Sequence, residues 1–72
     1  MLSSRQEKAY YRIEKLVIEA MKYFNKFPYE KYNELIHEAE ELSYKYDIAM
    51  YFDDDCIQIE DTVIYYPGHI PE

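Results

Sequence analysis

The stretch PYEKYNELIHEAEELSYKY, residues 28–46, decides the fold. Tyr32, Leu35, Ala39, Leu42 and Tyr46 recur at alternating steps of three and four, with Ile36 beside them. That spacing is one apolar stripe on an α-helix. Glu30, Glu34, Glu38 and Glu41 repeat on another face of the same helix. The segment has an apolar side that needs cover and a carboxylate side that stays in water.

Upstream lies a second helix that can supply the cover. Ser3 and Ser4 precede Gln6 and Glu7, so either serine can open a capping box. The pattern predicts a helix over about residues 4–25, roughly 33 Å long. Its stripe is Tyr10, Ile13, Val17, Ala20, Phe24 and Phe27, widened by Ala9, Leu16 and Met21. Tyr11 and Ile18 sit one heptad apart and off that stripe. Asn25-Lys26-Phe27-Pro28 breaks the helix, because proline bars its predecessor from the helical region and suits the start of a new helix. A link this short makes an antiparallel helical hairpin over residues 4–25 and 28–46, with the two stripes facing.

Downstream the period changes to two. Ile48, Met50 and Phe52 alternate with Ala49 and Tyr51, and Asp53-Asp54-Asp55 turns the chain. Cys56–Glu60 and Thr62–Tyr66 follow as two more strands across a second acidic turn at Glu60-Asp61. The expected fold is α+β: the helical hairpin, then a small three-stranded antiparallel β-meander over 48–52, 56–60 and 62–66, packed on it in one domain. In the third strand Val63/Tyr65 and Ile64/Tyr66 are equally apolar, so periodicity does not choose which face turns inward. Pro67-Gly68 ends the strand, and His69–Glu72 reads as a loose tail.

Composition narrows the function classes. A chain of 72 residues has a marginal core of its own. Ten Tyr, three Phe and no Trp favour half-buried positions and interfaces, since tyrosine joins an apolar body to a polar tip. Charge is unevenly placed. Residues 1–26 hold six bases against three acids, a balance of +3, whereas residues 27–72 hold two bases against twelve acids, a balance of −10. A surface that negative repels phosphate and attracts a basic protein, so direct nucleic-acid binding is not expected. The single cysteine, Cys56, excludes an internal disulfide and favours a reducing, cytoplasmic setting. No apolar run is long enough for a membrane span.

Catalytic and cofactor signals are thin. Cys56 with His37 or His69 would be the only thiol–imidazole pairing, and Cys56 reads instead as a small strand hydrophobe. Asp53-Asp54-Asp55 with Glu60 and Asp61 lacks the central glycine of a calcium loop and has Ile64 at the twelfth position. The chain is read as a non-enzyme, with no metal and no cofactor.

What stands out is acid mixed with tyrosine. Glu34, Glu38 and Glu41 lead toward Asp53, Asp54 and Asp55, with Tyr44 and Tyr51 off the core stripes among them, as is Tyr66. Carboxylates can take phosphate positions in a basic groove, and tyrosine stacks on guanidinium. The expected function is a small acidic protein-binding inhibitor that blocks a basic nuclease or other nucleic-acid-binding protein by occupying its nucleic-acid groove. In general character, though in no specific motif, this is similar to phage-encoded anti-defence proteins that mimic DNA. A second expectation is a homodimeric structural or regulatory module, joined through Tyr11 and Ile18 or through an open sheet edge at Thr62–Tyr66.

Overall fold

A computed structural model of the protein describes residues 2–68. Two helices, α1 (Ser4–Met21) and α2 (Tyr29–Lys45), precede three strands, β1 (Met50–Phe52), β2 (Cys56–Ile59) and β3 (Thr62–Tyr65). The strands form one antiparallel sheet in the order β1-β2-β3. The helices are antiparallel, since Gln6 meets Tyr46, Arg12 meets Glu38 and Phe24 meets Tyr32. The expected α+β architecture is the observed one.

Burial follows the stripes. Ile13, Val17 and Ala20 of α1, Ala39 of α2, and Ile57 and Ile59 of β2 have no exposed surface. Alanines at the helix–helix contact let the two axes approach closely. Ile57 and Ile59 lie on the central strand, so the core sits between the hairpin and β2. In β3, Ile64 packs inward, as does Tyr66 just beyond it, while Val63 and Tyr65 face solvent.

Cap chemistry fixes both ends of the hairpin. Ser3 is the N-cap of α1 and forms a reciprocal capping box with Gln6. The Gln6 side-chain amide also donates to the carbonyls of Tyr46 and Asp47, 2.9 and 3.3 Å away, at the end of α2. One side chain thus satisfies orphan groups of both helices. Beyond Tyr46, Asp47 takes a left-handed φ of 55°, and the Ile48 N–H reaches back to the Ser43 carbonyl at 2.9 Å. That is a Schellman closure, and it carries Ile48 into the core.

These closures explain where the elements end earlier than periodicity suggests. α1 stops at Met21 rather than near residue 25, because Tyr23 and Phe24 bond to carbonyls three residues back and Asn25 turns left-handed at φ 57°. At 18 residues α1 is about 27 Å long, not 33 Å. The tightened turn swings Phe24 onto Tyr66, with ring centroids 4.7 Å apart, and edge-on to Tyr32. Phe27, assigned to the stripe from sequence, is instead 82% exposed and meets only Tyr29 among the aromatic rings. Pro28 stands at the N-cap, one residue before the helix, and the Phe27–Pro28 bond is cis. β1 begins at Met50 rather than residue 48 because the helix closure claims Ile48. β2 and β3 each end one residue early, at Ile59 and Tyr65. The expected tail, residues 69–72, lies outside the described residues.

Gln6→Ala should lower stability by about 1–2 kcal/mol in urea unfolding, because it strands groups at two helix ends. Gln6→Glu should recover only part of that, since a carboxylate still accepts at the cap but cannot donate to Tyr46 and Asp47. For Tyr32, burial first and the adjacent Tyr66 hydroxyl second push the phenol well above its ordinary 10.0. A phenol that holds its proton more tightly when folded contributes stability that is complete below pH 10.0 and is lost as pH rises further. Thermal melts above that pH should fall less steeply for Tyr32→Phe than for the native chain.

Candidate protein-binding surface

The residues expected to form one acidic face divide into separate places. Glu38 projects into the seam between the helices, where its carboxylate lies 3.7 Å from the Arg12 guanidinium. Glu41 pairs with His37 at 2.9 Å, one turn back on α2. It does not pair with Lys45, the partner that spacing suggests; the Lys45 ammonium sits 5.5 Å from the Tyr46 ring centre instead. Glu34 is exposed on α2, and Asp53, Asp54 and Asp55 are exposed at the β1–β2 turn. That turn lies toward the α1–α2 loop, because the Tyr66 N–H donates to the Asp55 carbonyl and Tyr66 stacks on Phe24. Tyr66, grouped with the free tyrosines from sequence, belongs to the core rim.

Two of the expected anchors do come together. Tyr44, 82% exposed on α2, and Tyr51, 62% exposed on β1, border one cleft of about 390 Å³ along the β1 edge, Tyr44 from the helix side and Tyr51 from the outer face of the sheet. The carboxylates of that cleft are Glu40, Asp47 and Glu60. Glu40 reaches it because it stands one helical turn before Tyr44, on the flank opposite Glu38. Asp47 arrives through the left-handed closure of α2. Glu60 arrives through the two-residue β2–β3 turn, at a φ of 52° that costs a side-chain-bearing residue about 1–2 kcal/mol. Its backbone N–H donates to the Ala49 carbonyl at 2.9 Å, and its carboxylate accepts weakly from the Ala49 N–H at 3.4 Å. Among the described residues none of these three carboxylates has a basic side chain within ion-pairing distance. The i, i+4 relation of Glu40 to Tyr44 was visible in the sequence. The inward turn of Asp47 and Glu60 depends on two closures that carry no glycine to announce them.

Basic residues gather elsewhere. Arg5, Lys8 and Arg12 border a shallow groove with Leu42 and Tyr46 on the outer seam of the hairpin, and Lys15 and Lys31 continue it. The Arg5 guanidinium lies over the Tyr46 ring at 5.9 Å. α2 therefore separates an acidic, aromatic flank from a mixed one on which Glu19, Glu38 and Glu41 stand among the cations.

Of the other candidates, Tyr11 and Ile18 are exposed on α1, where the Tyr11 ring stacks on Tyr10 at 5.5 Å. Tyr10 in turn hydrogen-bonds the Thr62 hydroxyl, tying α1 to β3. The Cys56 thiol is buried, and its pKa is pushed up by that burial and then by the carboxylates of Asp55 and Asp53. Such surroundings disfavour the thiolate that nucleophilic chemistry requires. Among the described residues no group of three His, Cys, Asp or Glu is placed to hold a metal ion. No helix of the described residues is long and apolar enough to cross a membrane. Comparison with protein-family models, curated proteins and solved structures finds no match.

The cleft tyrosines and the core make opposite predictions under substitution. Tyr44→Ala and Tyr51→Ala should each change unfolding free energy by no more than about 0.5 kcal/mol. Ile57→Ala, at a fully buried position, should cost about 2–5 kcal/mol, enough to unfold much of a domain this small. Urea titration of the three variants separates the two cases.

Proposed function

We propose that this chain is a protein-binding inhibitor that engages a basic partner through the α2–β1 cleft and the carboxylates around it. The partner class is a nuclease or other nucleic-acid-binding protein, whose Arg- and Lys-rich groove the acidic flank occupies in place of nucleic acid. The observation that carries this reading is the pairing of two largely exposed tyrosines with three carboxylates that have no ion-pair partner among the described residues, all bordering one concavity. Exposed aromatic rings and desolvatable acids together suit arginine, which stacks and forms bidentate bonds at once. Glu34, Glu41 and Asp53–Asp55 extend the negative field around the cleft without entering it, which suits steering more than contact.

The test is capture of the partner from the source cell on the tagged chain, with elution by a salt gradient and separately by duplex DNA. Release of a basic nucleic-acid-binding protein by DNA supports the reading. A partner indifferent to both salt and DNA sinks it. Glu40→Lys combined with Tyr44→Ala should abolish capture while leaving the circular-dichroism spectrum unchanged. Glu38→Lys should weaken capture far less, since Glu38 already faces Arg12.

A second reading rests on the outer sheet face. Val63 and Tyr65 are each 41% exposed on β3, an edge strand, and among the described residues no helix covers them. Pairing of two β3 edges would satisfy their free backbone groups in a six-stranded sheet across a two-fold axis and bring Val63 and Tyr65 beside their counterparts on its outer face. Light scattering at low micromolar concentration decides it: a strict monomer removes this reading and leaves the first intact.

A further inference from the structure

The edge of β1 that faces the cleft has unpaired backbone groups, and their identity follows from the register. Met50 pairs with Ile59, Tyr51 with Gln58 and Phe52 with Ile57. The Asp53 N–H donates to the Cys56 carbonyl, and the Glu60 N–H to the Ala49 carbonyl. In an antiparallel ladder bonded and non-bonded pairs alternate, so residues 49, 51 and 53 direct their backbone groups toward β2. Met50 and Phe52 direct theirs outward. Among the described residues nothing else bonds to them.

We infer that the cleft takes an extended, arginine- or lysine-bearing segment of the partner as a fourth strand beside β1. This rests on the basic-partner reading and specifies how the contact is made. Main-chain bonds to Met50 and Phe52 supply affinity that does not depend on sequence. Selection comes from the walls: on the helix side Glu40, Asp47 and Glu60 meet the basic side chains and Tyr44 packs along their stems, while Tyr51 meets the alternate residues from the outer face of the sheet. Charge complementarity fixes the occupant, because every charged residue lining the cleft is acidic. Antiparallel and parallel approach are both compatible with two outward residues; the short edge limits pairing to about two rungs.

The test uses the full chain, isotopically labelled for amide detection, and three synthetic pentapeptides of alternating residues. One alternates valine with arginine. The second is its fully N-methylated counterpart, which keeps the charge and loses every main-chain donor. The third replaces arginine with glutamate. The expected result is slowed amide exchange at Met50 and Phe52 with the arginine peptide, about tenfold weaker binding on N-methylation, and no binding of the glutamate peptide. Equal binding of both cationic peptides without protection of Met50 and Phe52 would overturn strand addition and leave the basic-partner reading standing. Protection of both amides by the glutamate peptide as well would show an edge that takes any strand, and would count against a basic partner. No binding by any peptide would overturn the inference, while DNA elution of the captured partner would still decide the reading beneath it.

Discussion

The fold depends on one pair of side chains on the middle strand. Ile57 and Ile59 are the fully buried residues of the sheet, and they join the same cluster as Ile13, Val17 and Ala39 from the helices. A sheet of three short strands is not stable alone in water without a hydrophobic face to bury. Here that face is two isoleucines wide at its centre, flanked by Met50 and Ile64. Everything peripheral is arranged so that the helical hairpin stays seated on them: the Gln6 clasp across the open ends, the Phe24–Tyr66 stack at the loop end, and the Tyr10–Thr62 bond between.

Economy at the centre leaves the margins open. The helices cover one side of the sheet, so Tyr51, Val63 and Tyr65 remain in water on the other. Among the described residues both outer strands also keep free edges, as a three-stranded sheet without closure does. The acids fit this arrangement in a physical sense. Asp53, Asp54 and Asp55 lie at one end of β1, and Asp47 and Glu60 near the other. Charge at strand ends discourages indiscriminate edge pairing, so the same carboxylates that would select a basic segment also reject neutral ones.

Much of the architecture was legible because it rests on periodicity. The three-four stripes of both helices, the switch to period two and the acidic turns gave the element order and the partner of each stripe. The ends were less legible, because hydrogen-bond closures rather than hydrophobic spacing set them. Phe24 and Phe27 continue the stripe on paper, yet a left-handed Asn25 sends one into the aromatic rim and the other into solvent. The surroundings of the candidate residues were only partly legible. Tyr44 and Tyr51 fell off the stripes and are exposed, but their neighbours are Glu40, Asp47 and Glu60 rather than Glu38 or the aspartate run. Spacing assigned Glu38 to a common face with Glu34 and Glu41, but the proximity of Arg12 across the hairpin is a tertiary fact that one helix cannot encode.

The separation of charge across α2 has a consequence for encounter rather than for binding. Arg5, Lys8, Arg12 and Lys15 on one flank, only partly offset by Glu19, Glu38 and Glu41, and Glu40, Asp47 and Glu60 without bases on the other leave charge unevenly spread across the molecule's width, which is a dipole moment. In the field of any strongly charged body such a particle rotates before it touches, presenting one flank and withdrawing the other. Orientation, usually the slow part of association, is then partly complete at a distance of about one Debye length, near 10 Å at moderate salt. Added salt shortens that reach, so it slows arrival more than it hastens departure. A chain this small gains, from the placement of its charges alone, a sense of direction that its net charge of −7 does not convey.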